Sequence, residues 1–132
     1  MSESLSVLRV LLAAEPPHCT AQTAERLLTH IEGRPAVVTV VGVAAPPGRF
    51  ESWAASTGYV DLKELRAAAV KVACAQARRL TEVLPPGVAA VHRALPSWKV
   101  LAREATDYDL VVLGGLPSRR RDRRLLPGAV LT

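Results

Sequence analysis

Short apolar runs recur along the chain and alternate with stretches in which apolar residues return every three or four positions. Nearly continuous runs are typical of strands buried on both faces, as in a parallel sheet. The stretches between them follow helical spacing, so the pattern predicts the order β-α-β-α-β-α-β. The four predicted strands are Val7–Ala14, Ala36–Val43, Val88–His92 and Asp109–Gly115.

The three helical stretches carry start and stop signals. The first opens at Thr20 and stops before Gly33, a capping position that favours glycine. Asp61 and Glu64 form an Asp-x-x-Glu capping box ahead of the second, which ends before Pro85. Pro96 and Ser97 precede the third. The apolar faces predicted from the spacing are Ala21, Ala24, Leu27, Leu28 and Ile31; Leu62, Leu65, Ala69, Val72, Gln76, Leu80 and Val83; and Trp98, Leu101 and Ala105.

This alternation predicts an α/β fold of three layers, a doubly wound parallel sheet with helices on both faces and right-handed crossovers. The length of 132 residues and the hydrophobic content of 49% suit a single domain spanning 1–132. Residues 44–59 are punctuated by proline and glycine and predict a long surface loop. Ligands of such sheets bind at the carboxyl ends of the strands, where the strand order reverses.

The basic character is concentrated in one short segment. Residues 119–124 hold five arginines and Asp122, and therefore contribute +4 of the net charge of +5. A nucleic-acid partner is disfavoured, because it requires a basic patch across the fold. Guanidinium groups suit phosphate, whereas a block of like charges also favours a solvated, mobile loop. The residues leave both interpretations open.

Several function classes lose support from the sequence. No apolar run reaches the roughly 18–20 residues of a membrane span, and the first residues carry Glu3 without the basic region of a secretory signal. Cys19 and Cys74 do not make a disulfide framework, and no zinc-ligand spacing occurs. We therefore expect a cytoplasmic protein with no metal site and no membrane partner. No Walker loop or catalytic triad is recognisable, so no enzyme activity is predicted.

The segment Asp109–Gly128 resembles the C-terminal signature of the universal stress protein family. That signature reads Asp-Leu-(Ile/Val)-Val-Met-Gly, then Gly-x2-Gly-x9-Gly-(Ser/Thr). Here Asp109–Gly114 reads Asp-Leu-Val-Val-Leu-Gly, and Leu125–Val130 reads Leu-Leu-Pro-Gly-Ala-Val. Ala94–Pro96 resembles the family's Gly-x-Pro helix start, and the first strand is also similar. The resemblance covers nearly the whole chain and implies the five-stranded, adenine nucleotide alpha hydrolase-like fold, here lacking its last helix and strand.

The resemblance also implies a ligand. Many members of that family bind ATP, so an adenine nucleotide, with Mg²⁺, is the expected ligand. In the binders the acid after the first strand contacts the adenosine part, and the glycine-rich loop surrounds the phosphates. The residues carried over by position are Ala13, Ala14, Glu15, Val43, Leu113, Gly114, Gly115, Ser118, Gly128, Ala129 and Val130. The chemistry of the arginine run, not the resemblance, adds Arg119 and Arg120 as candidate phosphate contacts.

The chain departs from the family pattern at four places. Glu15 replaces the usual aspartate, and Pro16–Pro17 removes two backbone donors. The second glycine is missing: Ser118 stands there if the loop is counted from Gly115, and Pro117 if it is counted from Gly114. Ala129 replaces a hydroxyl that donates to phosphate. Three functions are therefore expected as alternatives. The first is a non-enzymatic stress-response module that binds an adenine nucleotide. The second is a domain that has lost this ligand and acts through protein contacts or as a homodimer. The third is a binder of polyanions through the arginine segment.

Individual residues keep alternatives of their own. Glu15 is either a ribose acceptor or a solvated acid. Gly114 and Gly115 either form an anion-binding nest or end a strand. Trp98 is expected in the core or an interface rather than as a base-stacking platform, and Trp53 is expected to cover the crevice or to touch a partner.

Overall fold

Parallel strands form the centre of the fold in the computed structural model. It describes residues 7–15, 21–31, 33–44, 53–54, 56–58, 61–85, 88–114, 117, 120–125 and 130–131. The strands are β1 (Leu8–Ala14), β2 (Ala36–Val43), β3 (Ala89–Leu95), β4 (Leu110–Leu113) and β5 (Val130–Leu131). Within the described residues the sheet order is β3-β2-β1-β4-β5, and every neighbouring pair is parallel.

Helices connect the strands: α1 (Ala21–Ile31), α2 (Leu62–Glu82) and α3 (Trp98–Ala105), with a 3₁₀ helix at Arg120–Arg124. Several of the capping residues predicted from the sequence lie at the ends of these helices. Gly33 has a φ of 74° after α1, where a side chain would be strained. Asp61 is the N-cap of α2, and its carboxylate accepts from the Lys63 N–H at 2.9 Å. Ser97 is the N-cap of α3.

Two apolar clusters lie on opposite faces of the sheet, which confirms the three-layer α/β prediction. On one face, α1 and α2 pack against the even-numbered positions of β1 and β2, including Val10 and Val38. On the other face, α3 packs against the odd-numbered positions, including Leu11 and Val41. Alternate side chains of these strands point to opposite faces, so both faces are covered and the runs are nearly continuous in apolar residues.

Small residues let α2 approach the sheet closely. Ala14, Gly42 and Ala94 are register partners across β1, β2 and β3. Above this row a Cβ added to Gly42 would lie 2.1 Å from the carbonyl oxygen of Ala73 in α2. Ala73 and Ala77 are fully buried. The helix backbone therefore rests directly on the sheet at this point, and glycine is the residue that permits it.

The predicted face of α2 was partly wrong. Val72 and Val83 are 52% and 53% exposed, whereas Ala73 and Ala77 are the buried positions. The prediction favoured the larger apolar residues, but the close approach at Gly42 leaves room for alanine alone.

The predicted element order was also incomplete. It held four strands and no last strand, whereas Val130–Leu131 pairs with β4 as a fifth. Two residues are too short to show a periodicity. The third strand is Ala89–Leu95 rather than Val88–His92. Of the predicted loop 44–59, residues 53, 54 and 56 have helical backbone.

Candidate functional site

The carboxyl ends of β1 and β4 lie side by side in the middle of the sheet. Ala13 is the register partner of Leu113, and Glu15 and Gly114 follow the two strands. From β1 the chain builds outward through β2 to β3, and then returns to the other side of β1 for β4 and β5. Strand order reverses here, so this edge is where an open α/β sheet forms its ligand crevice. We call it the switch-point edge.

Four of the predicted contact residues form the floor beneath that edge. Ala13 and Val43 are fully buried, Ala14 is 1% exposed and Leu113 is 7% exposed. Ala13, Val43 and Leu113 belong to the apolar cluster that α3 covers. Their side chains therefore pack in the core.

Gly114 continues the strand ladder. Its N–H donates to the carbonyl oxygen of Ala13 at 2.8 Å, and the residue is half-buried. A donor that is already satisfied by the neighbouring strand does not serve an anion nest. For Gly114 the strand-end interpretation is therefore right and the nest interpretation is wrong.

Glu15 is a buried carboxylate at the switch-point edge. It is 4% exposed, and its Oε1 accepts a hydrogen bond from the indole Nε1–H of Trp98 at 2.5 Å. The solvated-acid interpretation is therefore wrong, because the side chain is covered and bonded within the protein. Trp98 is 2% exposed, which confirms its interior position. An ionised group at this depth needs hydrogen-bond donors to offset its lost hydration, and the indole is one of them.

The third helix brings Trp98 to Glu15 from two strands away. Pro96 and Ser97 follow β3, and the Ser97 hydroxyl accepts from the Val100 N–H at 3.3 Å, which fixes the first turn of α3. Trp98 is the first residue of that helix and lies at the carboxyl edge. With strands about 4.8 Å apart, β3 and β1 are separated by roughly 10 Å. The indole Nε1–H of Trp98, which follows β3, thus bonds to a carboxylate that follows β1.

The arginine-rich segment is folded after β4. Arg120–Arg124 forms the 3₁₀ helix, and the Nε of Arg123 donates to the carbonyl oxygen of Pro117 at 3.0 Å. Pro117 is buried, and Arg123 and Arg124 are exposed. Residues 120–124 thus have a helical backbone, and the described arginine side chains at 123 and 124 are solvated, as one of the two interpretations expected. Exposed guanidinium groups therefore follow β4, one of the two strands that end at the switch-point edge.

The other predicted loop contacts divide into two groups. Val130 begins β5 and pairs with Val112, so its backbone belongs to the sheet rather than to a loop. Arg120 lies in the 3₁₀ helix. The remaining predictions fall outside the described residues, and they are Gly115, Ser118, Arg119, Gly128 and Ala129.

Charged contacts that the sequence did not reveal hold the elements around the site. Arg93 of β3 bonds to Glu104 of α3 at 2.8 Å. This hydrogen bond raises the pKa of Arg93 above its ordinary value, so the guanidinium stays protonated at any practical pH. The Asp109 carboxylate accepts from the Arg9 N–H at 2.8 Å, and the Arg9 guanidinium lies 5.2 Å from the centre of the Tyr108 ring.

Other features of the described residues bear on function only slightly. Trp53 is 56% exposed. In the described part of the chain, no three His, Cys, Asp or Glu side chains are grouped so as to hold a metal ion. None of the helices described there is long and apolar enough to cross a membrane.

The strand order and the two helical layers define an α/β domain with a doubly wound parallel sheet. No protein-family model matches the chain, and no curated protein matches it. Among solved structures, the chain is similar to the universal stress protein from Archaeoglobus fulgidus, at 15% identity and a TM-score of 0.49. The match covers 98% of this chain and 94% of that one.

Proposed function

We propose that this chain is a non-catalytic, cytoplasmic binding module that takes an adenine nucleotide at the switch-point edge. One observation carries the proposal. Glu15 follows β1, the arginine-rich 3₁₀ helix follows β4, and β1 and β4 are neighbouring strands of the sheet. A carboxylate accepts hydrogen bonds from ribose hydroxyls, and guanidinium groups bind phosphates. The edge thus offers one group for each end of a nucleotide.

The resemblance of Asp109–Gly114 to the universal stress protein signature supports the same ligand class. The sequence contains no recognisable Walker loop or catalytic triad. We therefore propose binding without turnover. The ligand's role is to stabilise the domain or to change the surface that a partner meets.

Calorimetric titration with Mg-ATP at physiological salt tests the proposal. We expect saturable binding at one site, with GTP and pyrophosphate much weaker. Absence of heat up to millimolar ATP, which corresponds to a binding free energy of only about −4 kcal/mol, contradicts it.

A matched pair of arginine variants locates the phosphates. Arg124→Gln removes an exposed guanidinium from the 3₁₀ helix, and Arg66→Gln removes an exposed one from α2. We expect Arg124→Gln to weaken ATP binding severalfold while leaving adenosine binding unchanged. Arg66→Gln is expected to change neither. Equal effects of the two variants indicate general charge attraction instead of a phosphate contact.

A second function, interaction with a protein partner or a second copy without nucleotide, is favoured by two observations. The Glu15 carboxylate already bonds to Trp98 and is 4% exposed. Val91 of the edge strand β3 and Val37 of its neighbour β2 are 55% and 41% exposed, and neither belongs to the apolar cluster that α3 covers. Light scattering after gel filtration distinguishes this function: a concentration-dependent dimer that Val91→Asp disrupts, together with no response to ATP, supports it.

A further inference from the structure

A buried hydrogen bond at the switch-point edge joins residues 83 positions apart in the sequence. Trp98 Nε1 donates to Glu15 Oε1, and both side chains are less than 5% exposed. The contact links the end of β1 to the start of α3. It lies where the proposed function requires the carboxylate to face a ligand.

When a buried carboxylate loses one hydrogen-bond donor, another donor has to replace it. Leaving such an acceptor without a donor costs more than forming the bond contributes. A ligand that bonds to Oε1 of Glu15 therefore competes with the indole N–H for that oxygen and has to supply a donor of its own. Ribose hydroxyls and the exocyclic amine of adenine are donors of that kind, whereas inorganic phosphate and pyrophosphate at neutral pH present mainly acceptors.

We propose that Trp98 determines ligand entry at the switch-point edge, by occupying the Glu15 oxygen to which a donor-bearing ligand binds. This inference rests on the proposed function and adds how binding is regulated: the nucleotide displaces the indole from Glu15. The ligand class is then restricted to molecules that carry a hydroxyl or amine donor, such as nucleosides and nucleotides. Anions without donors stay at the 3₁₀ helix and leave Trp98 in place.

Two consequences distinguish this arrangement from a purely structural hydrogen bond. Binding has to break an internal charge-assisted bond first, so the wild-type affinity is reduced by the fraction of molecules in which the bond is open. Trp98→Phe keeps an aromatic ring in the apolar cluster but removes the donor. We expect it to tighten ATP binding by about tenfold or more, since bonds to charged groups are among the stronger ones.

The chain offers a clean optical reporter for the displacement. It contains two tryptophans, of which Trp53 is 56% exposed and Trp98 is 2% exposed. Trp53→Phe therefore leaves Trp98 as the single tryptophan and serves as the matched tryptophan-to-phenylalanine control. In this background we expect ATP and adenosine to shift Trp98 emission saturably, and pyrophosphate to leave it unchanged.

Three outcomes are distinguishable when Trp53→Phe is titrated with ATP beside Trp53→Phe/Trp98→Phe. An emission change in the first protein, with at least tenfold tighter binding by the second, supports the inference. Binding of equal strength by both, with constant emission, overturns the inference and leaves the proposed function standing. Absence of ATP binding by both proteins overturns the two together.

A second measurement covers the case in which Trp98→Phe fails to fold. The indole N–H of ¹⁵N-tryptophan-labelled Trp53→Phe protein gives one resonance, that of Trp98. ATP is expected to move this resonance away from its hydrogen-bonded position and to accelerate its exchange with solvent deuterium. A resonance that keeps its position and protection at saturating ATP overturns the inference.

Discussion

Replacement of Gly42 by alanine tests the close contact between α2 and the sheet. The new Cβ would lie 2.1 Å, 2.7 Å and 3.1 Å from the carbonyl oxygen, carbonyl carbon and Cα of Ala73. All three are backbone atoms in the middle of a 21-residue helix, so no side-chain rotation relieves the clash. Ordinary contact begins near 3.4 Å, so the helix backbone has to retreat by about 1.3 Å at its closest point.

The expected loss of stability follows from this displacement. Overpacking a well-packed core costs about 1–3 kcal/mol, and the upper end applies because α2 itself has to move. Loss of glycine from the unfolded chain returns up to about 1 kcal/mol. We therefore expect the free energy of unfolding to fall by about 2 kcal/mol. At roughly 3–5 °C per kcal/mol for a chain of this size, Tm falls by about 6–10 °C.

Urea unfolding followed by far-ultraviolet circular dichroism measures the effect. The informative control is the double variant Gly42→Ala/Ala73→Gly. Because the clash involves the backbone of residue 73, shortening its side chain is not expected to restore stability. A loss below about 0.5 kcal/mol for Gly42→Ala, which is the range of ordinary surface substitutions, or a recovery in the double variant, would refute the reasoning.

Three further substitutions probe contacts around the site, each measured by the same unfolding assay. Asp109→Ala removes the acceptor of the Arg9 N–H and is expected to cost about 1 kcal/mol; no loss means that water replaces the carboxylate. Glu104→Gln weakens the half-exposed pair with Arg93, so a loss of less than about 1 kcal/mol is expected, shrinking at high salt; a salt-independent loss contradicts this. Ser97→Ala removes the cap of α3 and is expected to cost about 1 kcal/mol and to weaken the indole contact to Glu15; unchanged Trp98 emission contradicts the second part.

Local rules were enough to predict much of the architecture. β2 was predicted at the observed bounds, Ala36–Val43, because it is a long run of apolar, mostly β-branched residues. The caps at Asp61 and Ser97 and the positive φ of Gly33 were also readable, since each depends on a few neighbouring residues. Elements without such signals were not found: β5 has two residues, and its pairing with β4 depends on the chain around it.

The candidate site was predictable in place but not in contacts. The alternation of strands and helices located Glu15 and Gly114 at strand ends, and the fold brought those ends together as expected. The hydrogen-bond partner of each group could not be predicted, because it depends on which other residues the fold brings to the same place. Gly114 gives its N–H to Ala13, and Glu15 receives the indole of Trp98.

The sequence by itself determined the layers, the parallel direction of the strands and the edge of the sheet that their carboxyl ends form. These properties follow from hydrophobic period and chain connectivity, which act over a few residues at a time. Only the tertiary structure decided that Glu15 is a buried, bonded carboxylate and that α2 rests on Gly42. Both depend on contacts between residues far apart in the chain, and their geometry is fixed by the packing of whole elements.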